Sequence, residues 1–162
     1  MQHDAALRKQ LVALLSGSEA HADFEAAVKG LPAGLRGKRP ATSTNGGEHS
    51  PWELLEHLRI AQSDILDFSH NPDYKTPKWP DEYWPKSPAP PGDKAWHDSV
   101  KSFRDDLAAI CDLVSDPETD LYAKIPHGDG QTILREALLV ADHNSYHIGQ
   151  LVLTRKLLGA WD

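Results

Sequence analysis

The sequence predicts an all-α protein: a four-helix bundle with an additional short helix and a long loop rich in proline and aromatic residues. Three observations carry the prediction. Apolar residues recur at three- and four-residue steps along each long stretch, helix signals far outweigh strand signals, and the breaks between stretches are crowded with glycine and proline. With 162 residues, the chain is expected to form one domain, residues 1–162, around one core.

The first helix lies in "AALRKQLVALL", where Leu7, Leu11, Leu14 and Leu15 share a face, and it is expected to stop near Gly17. "SEAHADFEAAVKGL" predicts a shorter helical piece with Ser18 as a cap and Gly30 near its end. "PAGLRGKRPATSTNGGEH" reads as a surface connection. The next start is well marked: Ser50 fits the N-cap, Pro51 the first helical position, where no amide partner is needed, and Glu53 the position that reaches back to the cap. Leu54, Leu58, Ala61, Ile65 and Phe68 form the stripe of this helix, His57 falls within it, and Asn71-Pro72 ends it.

Residues 71–92 hold many prolines with Tyr74, Trp79, Tyr83 and Trp84 among them, so missing amides exclude a continuous helix or central strand. An extended loop with rings packed on the outside of the bundle is expected. A lid over a pocket or part of a dimer contact is the alternative. Helical period returns with Trp96, Val100, Phe103, Leu107, Ile110, Cys111 and Val114 facing inward. Cys111 then reads as a small buried side chain rather than a reactive thiol. A glycine-containing turn leads to the last helix, about Thr132 to Leu158, which Gly159 stops.

Composition narrows the function. Asp and Glu number 24 against 17 Lys and Arg, a net charge of −7, so the summed field repels phosphate backbones and anionic membrane surfaces. No nucleic-acid or membrane partner is expected. No stretch approaches the roughly 18 apolar residues of a membrane span and no secretory leader is visible, so a cytoplasmic location is expected. The single cysteine excludes an intramolecular disulfide and a thiolate-rich zinc site. Any metal must be held by nitrogen and oxygen.

"DHNSYHIGQL" supplies the nitrogen. Ile133, Val140, His143, His147, Gln150 or Leu151, Thr154 and Leu157 recur at helical steps, which turns both histidines toward the core. His57, inward on the Ser50 helix, joins them if the two helices are neighbours. Three imidazoles on one side of a cation leave a position open for water or substrate. The competing reading is three core histidines with satisfied hydrogen bonds, but three buried rings need partners and a metal satisfies all at once. Gln150, Asp142 and Glu53 are candidates to orient the unused ring nitrogens. His127 and His21 read as surface residues that could approach the pocket, and Arg59 and Arg135 as surface salt bridges that could instead pair an anionic substrate.

"SPWELLEHLRIAQSDIL" followed far downstream by "ADHNSYHIGQLV" resembles the DinB-like superfamily of small metal-binding helical bundles, over nearly the whole chain. The resemblance implies a divalent metal, zinc or nickel first, held by His57, His143 and His147. It implies a homodimer and a small-molecule substrate. For some relatives it implies a low-molecular-weight thiol as second cofactor, so that a metal-dependent thiol S-transferase or a hydrolase is the expected activity. The alternative is a non-catalytic, stress-related dimeric scaffold that binds metal. The group is distinct from the similarly named polymerase, and no catalytic base is identified.

Overall fold

A computed structural model describes residues 2–17, 20–41 and 49–161. Among them the elements are α1 (Gln2–Ser16), a short α2 (Phe24–Val28), a single 3₁₀ turn (Ala33–Leu35), α3 (Pro51–His70), α4 (Asp93–Ser115) and α5 (Ile133–Leu157). Both α3 and α1 pack against α4 and α5, so the four long helices form a ring in the order α1, α4, α3, α5. The helical bundle expected from the sequence is what the chain forms, with α2 as the short extra helix and residues 71–92 as the irregular loop.

The start of α3 follows its local sequence. Ser50 Oγ accepts from the Glu53 amide and the Glu53 carboxylate accepts from the Ser50 amide at 2.8 Å, which closes a capping box with Pro51 in the first turn. The Ser50 hydroxyl also donates to the Pro88 carbonyl, tying the loop to this helix start. Ser50→Ala is expected to destabilise the protein by about 1–2 kcal/mol, an ordinary cap loss in a fully buried setting. Urea titration checks this, and an unchanged midpoint would contradict it.

At α2 the cap is Asp23, whose side chain accepts from the Ala26 amide at 2.7 Å. The expected cap, Ser18, lies outside the described residues, as do residues 42–48 of the surface connection. Gly30, at φ +68, and Gly159, at φ +69, take left-handed conformations just past α2 and α5, where a side chain would strain the chain.

Two apolar clusters form the core. One gathers Phe24, Trp52, Leu55, Trp96, Phe103 and Leu151, and the other Leu11, Leu15, Ile110, Val114, Leu121 and Val140. Two residues of the predicted stripes do not join. Leu14, on α1, and Leu157, the last residue of α5, are 46% and 47% exposed. Buried polar groups link the elements. Gln62 donates to the Phe103 carbonyl at 2.8 Å and accepts from Asn144 at 2.8 Å, which ties α3, α4 and α5 together beside His143. Arg8 donates to the carbonyls of Val114, Asp116 and Thr119 and so closes the C-terminal end of α4.

Candidate metal centre

The adjacency of α3 and α5 brings His57, His143 and His147 together. His143 and His147 lie one turn apart on α5, a spacing that places both side chains on one face. His57 reaches them from α3, with its Nε2 3.2 Å from His147 Nε2 and 3.2 Å from His143 Nε2. One ligand atom from each of the three lies within 4.8 Å of the others, and among the described residues no fourth histidine, cysteine or carboxylate joins this group. His57 is buried and the two α5 histidines are half-buried, so the cluster keeps an approach from solvent.

The hydrogen bonds on the far side of the rings decide where the lone pairs point. His57 Nδ1 donates to the Tyr83 carbonyl at 2.9 Å; a carbonyl only accepts, so the proton sits on Nδ1 and Nε2 is a bare lone pair. His147 Nδ1 donates to Gln150 Oε1 at 2.7 Å, which leaves its Nε2 bare as well. Two lone pairs therefore face each other at 3.2 Å, an arrangement that is repulsive unless something positive lies between them. His143 Nδ1 is buried without a partner. Zinc–nitrogen bonds of about 2.0–2.1 Å at tetrahedral angles place ligand nitrogens about 3.3–3.4 Å apart, close to the spacing seen here. The three residues fit a divalent cation with an open fourth position.

Burial keeps the rings in the form that can ligate. It lowers the pKa of His143 to about 4 and of His147 to about 4, with neighbouring imidazoles adding to the effect, and lowers His57 in the same way. All three are neutral at neutral pH, as a metal ligand must be.

Of the other polar residues singled out by the sequence, only Gln150 hydrogen-bonds the cluster. Gln150 takes the orienting role proposed for it. Glu53 does not, because its carboxylate is engaged by the Ser50 amide and by Arg39. Asp142 is exposed. Arg59 and Arg135 are held by carboxylates of their own helices, Glu56 and Glu136, at 2.8 Å. His127 is exposed and donates to the Phe68 carbonyl at 2.8 Å, at a separate polar cavity of about 390 Å³ further along α3 and α5. His21 is exposed. Cys111 is half-buried on α4, its thiol pushed up in pKa by burial.

The loop requires a correction. Trp79 is 66% exposed, as expected for a ring outside the bundle, but Trp84 lies flat on the His57 ring at 3.9 Å and 2°. His49 stacks on the other face of the same indole at 4.1 Å. Residues 71–92 therefore form one wall of the histidine cluster. Among the described residues no helix is long and apolar enough to cross a membrane.

The sequence profile of the DinB superfamily matches residues 17–151, a span that contains α2 to α4, all three histidines and most of α5. The chain belongs to the DinB superfamily. No characterised protein and no solved structure matches it at a significant level. Membership in the DinB superfamily accounts for the bundle and makes the histidine cluster the place to look for chemistry.

Proposed function

We propose that this DinB-superfamily chain binds one divalent metal, zinc or nickel first, through His57, His143 and His147, and uses it as a metal-dependent enzyme. The reaction is a thiol S-transfer or a hydrolysis on a small molecule. One observation carries the reading: two imidazole lone pairs, each fixed by a hydrogen bond behind it, face each other at 3.2 Å with a third ring nitrogen converging on the same point. When bound, a divalent cation supplies a Lewis acid that lowers the pKa of a coordinated water or thiol and delivers it as a nucleophile at neutral pH. His57, His143 and His147 would hold three positions on one side, Gln150 and the Tyr83 carbonyl orient two of the rings, and Trp84 covers one face of the His57 ring.

Gln150→Leu is expected to weaken zinc binding by about 10- to 100-fold, the usual consequence of losing an orienting partner. Competition with a chromophoric chelator measures it, and an unchanged affinity would remove Gln150 from the site.

Turnover is tested by presenting metal-loaded and chelated protein with panels of low-molecular-weight thiols plus electrophiles and of esters and amides, beside His57→Ala. Activity that needs both metal and His57 supports the enzyme. Metal binding with no turnover in either panel would leave the non-catalytic reading, a metal-binding dimeric scaffold linked to stress. Sedimentation of the loaded protein tests the homodimer that either reading includes.

A further inference from the structure

We propose that Asp64 is a positioning residue of the histidine cluster, fixing the tautomer and orientation of His57 through the strap formed by residues 71–92. The functional meaning of this role rests on the cluster being a metal centre, but its first readout does not.

Asp64 lies on α3 seven residues beyond His57, about 10 Å along the helix axis. Both of its carboxylate oxygens are taken by the strap. Tyr74 donates its hydroxyl to Oδ1 at 2.8 Å and Tyr83 donates its hydroxyl to Oδ2 at 2.7 Å. Burial and the adjacent carboxylate push the Tyr74 pKa up to about 12 and raise that of Tyr83, so both phenols stay protonated and serve as donors. Tyr83 is also the residue whose carbonyl accepts from His57 Nδ1, and Trp84 next to it lies on the His57 ring.

One side chain thus joins two sites. The Tyr83 hydroxyl is fixed to a rigid helix, while its carbonyl fixes the histidine two turns earlier on that same helix. The strap has little structure of its own to do this. Its backbone hydrogen bonds near Tyr83 are local turns, such as Glu82 to Lys78 and Tyr83 to Pro80, and its prolines remove further donors. Hydrogen bonds to α3 at the two ends of the strap, from Asn71 to Asp67 and from Ser50 to Pro88, lie away from Tyr83. Where the Tyr83 carbonyl sits therefore depends on the tyrosine clamp at Asp64. Without that carbonyl, His57 loses the acceptor that holds its proton on Nδ1, and Nε2 is no longer kept free.

The test uses metal-free protein with ¹⁵N-labelled histidine. In the wild type, long-range proton–nitrogen spectra near pH 8 should show His57 as the Nδ1–H tautomer. Asp64→Asn retains the shape but lacks one of the two acceptor oxygens. It is expected to populate the Nε2–H form of His57, to shift tryptophan fluorescence to the red, and to weaken zinc binding about tenfold, the lower end for an outer partner. The double substitution Tyr74→Phe and Tyr83→Phe keeps the carbonyl and removes both hydroxyls, so it should do the same if Asp64→Asn folds poorly. Asp105→Asn, at an exposed carboxylate on α4 that pairs with Lys101, should leave all three readouts at wild-type values. If both clamp variants keep the wild-type tautomer and zinc affinity, the proposal is overturned. A tautomer released in the variants of a chain that binds no zinc would uphold the positioning role while removing the metal reading.

Discussion

Zinc or nickel titrated into the metal-free protein at neutral pH should saturate at one ion per chain, and His143→Ala should weaken that binding by roughly a thousandfold. Structural zinc sites bind with roughly 10–16 kcal/mol, so one ligand of three or four carries about 4 kcal/mol, which is about three decades in affinity. His143 is the informative choice. His57 also supports the Trp84 stack, so removing it disturbs the wall of the site, whereas no stacked aromatic ring rests on His143. The same experiment has a stability readout: at a free-metal level of about 100 times Kd, the wild type should gain about 2.7 kcal/mol and the variant almost none. Mass spectrometry of the protein as purified, with and without the substitution, gives the content directly. If wild type and variant bind alike, or neither binds, the three imidazoles are core residues and the enzyme reading goes with them.

The parts legible from sequence are those where chemistry and spacing are local. Ser50, Pro51 and Glu53 announce α3 because a capping box needs only four consecutive residues. His143 and His147 announce a shared face because one helical turn sets their separation. Placing His57 opposite them needed the order of helices around the bundle, which periodicity does not contain and which the family resemblance supplied. The features that the sequence does not reveal depend on contacts between distant segments. The Tyr83 acceptor is a backbone carbonyl, which every residue carries, so no residue type marks it. Trp84 sits among other aromatic residues in the same loop, and nothing in its neighbours separates the ring that touches His57 from Trp79, which faces solvent. Gln62 and Asn144 are ordinary helix-face polar residues until α3 and α5 meet, when they become a buried pair. Glu53 was misplaced for the opposite reason: its local role in the capping box already satisfied it.

Burial of the cluster also predicts how the metal-free protein responds to acid: its stability should fall steeply as pH drops from about 6.5 toward 5, above the range where most carboxylates titrate. In the unfolded chain His143 and His147 take up protons near the ordinary value of 6.5, whereas in the folded protein burial and neighbouring imidazoles delay uptake until about pH 4. Between those values the unfolded state binds more protons than the native state. Lowering the pH therefore favours unfolding, and the stability present above pH 6.5 is lost on the way to pH 4. His57, shifted in the same direction, adds to the slope. The half-exposure of His143 and His147 lets solvent screen part of the effect, so the loss by pH 5 should be on the order of 2–3 kcal/mol. Urea titrations at half-unit intervals measure it. His147→Gln, which cannot be protonated, should flatten the curve, because it removes one of the two refused protons. A metal-free wild type with level stability across this window would mean that the rings already accept protons in the folded state, and the picture of neutral lone pairs held face to face would be wrong.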